Sequence, residues 1–284
     1  MITTTAAIIG AGELGGAVAH ALARRESVSR VLLVDAAEGV AQGKALDIQQ
    51  AGAIEGFHTQ LAGTHDATRV AGCAVCIVAD HAGREPREWH DEEALAHLSQ
   101  MAAFIGEAPL LFAGVQQAPL MLMLAREAGW PTARLIGSAV EALAAAVRAI
   151  VAMEARCSPA EVMLTVLGTP PAGFVVPWSE ASIGGYALER VLTPVQLTRI
   201  EGRTARLWPP APYTLALAAA TVTEAIVRSS RRSFSALTVL QGEFGIRGRV
   251  GAIPVLLSST GVVHTRVPSL STRERVLLET ALGR

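Results

Sequence analysis

The sequence predicts an α/β fold: a doubly wound parallel sheet followed by an α+β C-terminal domain. Three observations carry this. Short apolar runs alternate with helix-length segments over the first half of the chain, the pattern of parallel strands covered on both faces. A glycine-rich turn separates the first apolar run from the first helix. Beyond about residue 138 the alternation gives way to a long helix, two further helices and consecutive strands, which is α+β order.

The elements follow in turn. TAAIIG (5–10) reads as a strand and 13–25 as a helix. VLLVD (31–35) is the second strand, with a helix over 38–52. CAVCIVAD (73–80), PLLFAG (109–114) and ARLIG (133–137) are further strands, separated by helices near 91–106 and 118–128. A long helix is expected over 138–155, then VMLTVLG and FVVPW, helices near 193–207 and 213–229, strands between 234 and 267, and a last helix over 271–282. The expected division is a first domain over 1–137 and a second over 138–284.

The chain has 284 residues, 51% hydrophobic and 17% charged. No run of eighteen uncharged apolar residues appears, and the nearest, EALAAAVRAIVAMEA, is cut by Arg148 and bounded by glutamates, so no membrane span is expected. A net charge of −1 leaves no electrostatic footprint for nucleic acid or an anionic membrane. Cys73 and Cys76 form a C-x-x-C, but no second pair completes a metal site, and AGCAVCIVAD reads as a buried strand with cysteines as small apolar residues. No metal is expected. Nothing in MITTTAAIIGAG resembles a signal peptide, and a reducing, cytoplasmic setting is expected.

Gly10, Gly12 and Gly15 form G-x-G-x-x-G between a strand and a helix, and Asp35 ends the next strand. This is the context of a Rossmann dinucleotide turn. Gly10 permits the tight turn, Gly12 lets the backbone approach a diphosphate, and Gly15 lets the helix pack on the strand. The helix N-terminus, with Glu13 and Leu14, offers free N–H groups. Asp35 would accept from ribose hydroxyls and repel a 2′-phosphate, and only Ala36 and Ala37 follow it. NAD is therefore the expected cofactor, in preference to NADP.

From here the chain resembles the lactate/malate dehydrogenase family. The resemblance rests on VDAAEGVAQGKALDIQQA (34–51), MEARCSPAEVMLTVLG (153–168), WSEASIGG (178–185), LQGEFGIRGRVGAIPVLLSSTGV (240–262) and LSTRERVLLETAL (270–282). It implies a proton-accepting histidine in GTPPA (168–172), where Pro170 stands, with Ala172 in place of the following aspartate. It implies an orienting aspartate and a carboxylate-clamping arginine on the long helix, where Leu143 and Ala146 stand. It implies an asparagine after LLFAG, where the chain has Val115, Gln116 and Gln117. Loop arginines belong in 82–95; Arg84 and Arg87 are present, and the later position holds Glu92 or Glu93.

No shift of register restores this set. The histidines are His20, His58, His65, His81, His90, His97 and His264, so none lies between 98 and 263. No aspartate follows Asp91, and the chain has no asparagine. Losing a general base alone removes roughly 10²–10⁴-fold in rate. The expectation is a family member that keeps its NAD site (Gly10, Gly12, Glu13, Leu14, Gly15, Asp35) and binds or regulates rather than catalyses. The alternative is an NAD-dependent oxidoreductase with relocated groups acting on an unusual hydroxy or keto substrate. Its candidates are Arg84, Arg87 and Gln116, with His81, His90 or His97 as base. Glu141 reads as a capping or exposed glutamate, and Arg148 as a structural interface residue. A homodimer or homotetramer is expected from the apolar content and from the helix at 38–52, which in the family lies at a subunit interface.

Overall fold

A computed structural model describes residues 4–83 and 87–283. Its elements in order are β1 (Thr5–Ile9), α1 (Glu13–Arg25), β2 (Arg30–Val34), α2 (Glu38–Glu55), β3 (Gln60–Thr64), β4 (Val75–Val78), β5 (Asp80–His81), β6 (Arg87–Glu88), α3 (Glu92–Ile105), β7 (Leu110–Phe112), α4 (Ala118–Arg126), β8 (Leu135–Gly137) and α5 (Ala139–Ala155). There follow β9 (Val162–Met163), β10 (Leu167–Thr169), β11 (Gly173–Val175), β12 (Ser182–Ile183), β13 (Tyr186–Ala187), α6 (Leu188–Val191), α7 (Pro194–Thr204), α8 (Pro212–Val227), β14 (Ser233–Gln241), β15 (Arg247–Ser258), β16 (Gly261–Thr265) and α9 (Thr272–Ala281).

The first six strands of the main sheet are parallel in the order β3-β2-β1-β4-β7-β8. The order reverses between β1 and β4, which makes that junction the topological switch point. The sheet then continues: β14 pairs antiparallel with β8 at Leu237 and Gly137, and β15, β10 and β11 follow. The expected division at 137/138 thus falls between β8 and α5, within one continuous sheet.

Side-chain alternation explains why the strands are apolar throughout. Ala6 and Ile8 join one core with residues of α1, α2 and α8, while Ala7 and Ile9 join the other with residues of α3, α4 and α5. Each wholly buried Ile or Leu contributes about 1.5–3 kcal/mol. β3 (QLAGT) is the one strand of the parallel set that the sequence reading did not name. It lies at the sheet edge and carries little apolar bulk.

The expected strand over 73–80 proves shorter. Cys73 precedes β4, and Asp80 belongs to a separate pair in which β5 runs antiparallel to β6. The Cys73 and Cys76 sulfurs are buried, free and 3.2 Å apart. Their contact lowers the Cys73 thiol pKa and raises that of Cys76, where burial adds to the rise. Among the described residues no helix is long and apolar enough to cross a membrane, and no group of three His, Cys, Asp or Glu side chains could hold a metal ion.

Candidate functional site

The glycine turn carries the chain from β1 into α1 at the switch point. Gly10 has φ +106°, and a Cβ there would lie 2.3 Å from the Asp80 carbonyl oxygen. A Cβ on Gly12 would lie 2.3 Å from the Asp80 carboxyl carbon, and one on Gly15 would lie 2.1 Å from the Gly10 carbonyl oxygen. Each glycine is therefore required by a close approach of backbone or carboxylate. Glu13 is exposed in the first turn of α1, and Leu14 is buried in the core.

Asp35 follows β2 and is only 5% exposed. Its carboxylate accepts from the amides of Ala11 at 2.8 Å, Ala37 at 2.9 Å and Ala82 at 2.8 Å. A carboxylate has about four acceptor positions. Three are used, which leaves one acceptor position, on Oδ1.

Asp80 is the residue that the sequence reading passed over. It is buried, and its two oxygens accept from the amides of Leu14 at 3.1 Å and Gly15 at 2.8 Å. These are first-turn amides of α1, which have no partner within the helix. The Gly12 amide donates to the Asp80 carbonyl at 2.9 Å, and the Lys44 ammonium donates to the Gly12 carbonyl at 2.5 Å. Across the β5–β6 pair, Asp80 faces Glu88. Glu88 accepts from Val115 at 3.0 Å and Gln116 at 2.7 Å, in the loop between β7 and α4. Gly114 gives Glu88 its space, since a Cβ there would lie 2.2 Å from the carboxylate.

Trp89 stands between two histidines. Its ring stacks on His97 with centroids 5.0 Å apart and a 6° interplanar angle, and meets His81 edge-on at 5.2 Å. Burial holds the His97 pKa below the ordinary histidine value, against the opposing pull of Glu93 and Asp35. His97 is therefore neutral at pH 7.

The other expected site residues are dispersed. Arg84 lies outside the described residues. Arg87 is exposed on β6, and Gln116 is exposed with its own amide taken by Glu88. Gln117 is buried: its side chain accepts from the Gly114 amide and donates to the Ala79 carbonyl. On α5, Leu143 is fully buried in the apolar core and Ala146 is half-buried. Between β10 and β11, Pro170 is buried and Pro171 exposed. Glu141 proves to be neither exposed nor a helix cap. It is buried, accepts from the Ser235 amide at 3.0 Å and pairs with Arg148 at 2.6 Å.

Comparison with known proteins agrees with this architecture. Residues 4–92 match the family described as lactate/malate dehydrogenase, NAD binding domain. The malate dehydrogenase of Thermomicrobium roseum is 29% identical over 286 residues, covering 95% of this chain and 92% of the relative. That of Salinibacter ruber is 29% identical over 292 residues, covering 97% and 93%. The solved structure of the Salinibacter ruber malate dehydrogenase superposes with TM-score 0.84 at 27% identity, covering 98% of this chain and 94% of that one. The Cryptosporidium parvum lactate dehydrogenase, solved with lactic acid and NAD, shares the fold with TM-score 0.86 at 23% identity, covering 99% and 95%. The likeness to malate and lactate dehydrogenases runs through both halves of the chain, and residues 4–92 form an NAD-binding domain of the lactate/malate dehydrogenase type.

Proposed function

We propose that this chain is a nicotinamide-dinucleotide protein of the lactate/malate dehydrogenase family that does not carry out ordinary 2-hydroxy acid redox chemistry, and that it acts by binding or regulation. The observation that carries the reading is the absence of any histidine between residues 98 and 263, the stretch that includes β10, β11 and the Pro170–Pro171 turn between them. A proline has no group that takes a proton. On α5, Leu143 and Ala146 offer neither an orienting carboxylate nor a clamp for a substrate carboxylate, and both lie on a helix packed into the core.

The turn fits a dinucleotide in two respects. Its glycines keep the β1–α1 turn tight and free of side chains, with Asp80 filling the space beside Gly12, and Asp35 keeps one acceptor position for a ribose hydroxyl while disfavouring a 2′-phosphate. Bound there, the nicotinamide would supply a hydride acceptor or donor. The residues that hold the cofactor would be Gly10, Gly12, Glu13, Leu14, Gly15 and Asp35, with NAD preferred over NADP. The two domains would divide near residue 137, and the assembly would be a homodimer or homotetramer in the cytoplasm.

Steady-state assays with malate, lactate, oxaloacetate and pyruvate, each with the matching form of NAD, test this reading. Rates far below those of an ordinary enzyme are expected. Turnover at about 10 s⁻¹, the common enzyme median, would refute it. A second reading, an oxidoreductase with relocated groups on an unusual hydroxy or keto substrate, draws on the His81–Trp89–His97 stack, where a neutral imidazole is available as a base. It predicts a turnover that replacement of His97 or His81 abolishes.

A further inference from the structure

We propose that Asp80 is an internal occupant of the dinucleotide groove: it holds the amides that a diphosphate would take, and so sets the affinity of the groove for anionic ligands. This rests on the reading of that groove as a dinucleotide site.

Ligands of open α/β sheets sit outside the C-terminal ends of the strands at the switch point. Here that point lies between β1 and β4, and Asp80 opens β5, separated by one residue from the C-terminal end of β4. The first-turn amides of α1 form an anion seat through their free N–H groups and the helix dipole. In this chain the seat already has an anion. One Asp80 oxygen takes the Leu14 amide and the other takes the Gly15 amide. The space that Gly12 leaves by lacking a Cβ is filled by the Asp80 carboxyl group.

The other boundary of the groove repeats the arrangement. Glu88, paired with Asp80 across β5–β6, takes the Val115 and Gln116 amides and fills the space left by Gly114. Two neighbouring carboxylates thus hold backbone donors of both loops at this edge of the sheet. A diphosphate and the Asp80 carboxylate carry like charge and compete for the same two N–H groups. They cannot occupy the seat together, so an anionic ligand binds only when the Asp80 side chain leaves Leu14 and Gly15.

Calorimetric titration of inorganic pyrophosphate and of NAD against the wild type, Asp80→Ala and Asp80→Asn tests the proposal. Asp80→Ala is expected to bind pyrophosphate at least about tenfold more tightly than the wild type, the factor by which a seat closed nine times in ten reduces apparent affinity. Asp80→Asn, uncharged but still an acceptor, is expected to fall between. If Asp80→Ala does not fold, the Asn variant alone carries the comparison. Unchanged or weaker pyrophosphate binding in the folded variants overturns the proposal, whatever NAD does. Tighter pyrophosphate with no NAD binding in any variant upholds the role of Asp80 and removes the NAD reading. NAD binding in the wild type that neither variant improves, with pyrophosphate unchanged, keeps that reading and removes the role of Asp80.

Discussion

The Asp80 carboxylate accepts the Gly15 amide at 2.8 Å across 65 residues of sequence. Together with its bond to Leu14 this makes Asp80 the cap of α1, since Gly12 at the N-cap has no side chain to serve. Replacing a capping carboxylate with alanine costs about 1–2 kcal/mol. In a chain of this size each kcal/mol lowers Tm by about 2–4 °C. Asp80→Ala is therefore expected to melt a few degrees lower while keeping its far-ultraviolet circular dichroism. A wild-type Tm would show that water caps α1 equally well.

That contact also shows where legibility in the sequence ends. Helix α1 was legible to the residue, because Leu14, Val18, Ala19 and Leu22 recur at helical spacing behind a glycine turn. The β14–β15 hairpin was legible from GEFGIRGRVG between two apolar runs. Asp80 was not, because its role depends on β4 lying beside β1, a pairing with no local signature. The available signal was an acidic residue directly after an apolar strand, on the edge where the glycine turn also emerges. Gln117 was hidden for a similar reason: Gln116 and Gln117 are indistinguishable in sequence, and only the start of α4 turns one inward and leaves the other exposed.

On α5 the buried Glu141 pairs with the half-buried Arg148, and its second oxygen is bonded to the Ser235 amide. Removing Glu141 leaves Arg148 to water but strands the buried Ser235 amide, at about 1–3 kcal/mol. Glu141→Ala is expected to lose that much by denaturant unfolding. A double replacement with apolar residues, Glu141→Leu with Arg148→Met, is expected to recover part of it, limited by the unpaired Ser235 amide. A single variant within 1 kcal/mol of the wild type would contradict this account of α5.

Glu274 closes the capping box of α9 and ties that helix to Ser179. Burial raises its pKa, but hydrogen bonds from Ser179 and Ser271 outweigh this and hold it below the ordinary glutamate value of 4.5. The folded-state pKa is depressed, so this stabilisation is fully present above pH 4.5 and is lost as pH falls through the lower folded value. Glu274→Ala is expected to be about 1–3 kcal/mol less stable at pH 7, with the gap narrowing on acidification below 4.5. A gap independent of pH would contradict it.

Helix α2 exposes Val40, Leu46 and Ile54, and α8 exposes Tyr213 and Leu217. Both helices cover the same face of the sheet. Sedimentation at micromolar concentration is expected to show a dimer or larger species, and Leu46→Glu with Ile54→Glu to shift it toward monomer. A wild-type monomer would remove the oligomer from the account.

The most direct test of the proposed loss of 2-hydroxy acid chemistry is single-turnover hydride transfer, with protein in excess over NADH and saturating oxaloacetate, followed by absorbance from pH 5 to pH 9. It is run on the wild type and on Asp80→Ala, so that access of the dinucleotide to the α1 seat does not limit the result. With Pro170 between β10 and β11, and Leu143 and Ala146 on α5, the account predicts no oxidation of NADH on the scale of seconds at any pH in either protein. A rapid phase whose rate rises and falls across this range, the mark of a titrating acid or base in the complex, would contradict it.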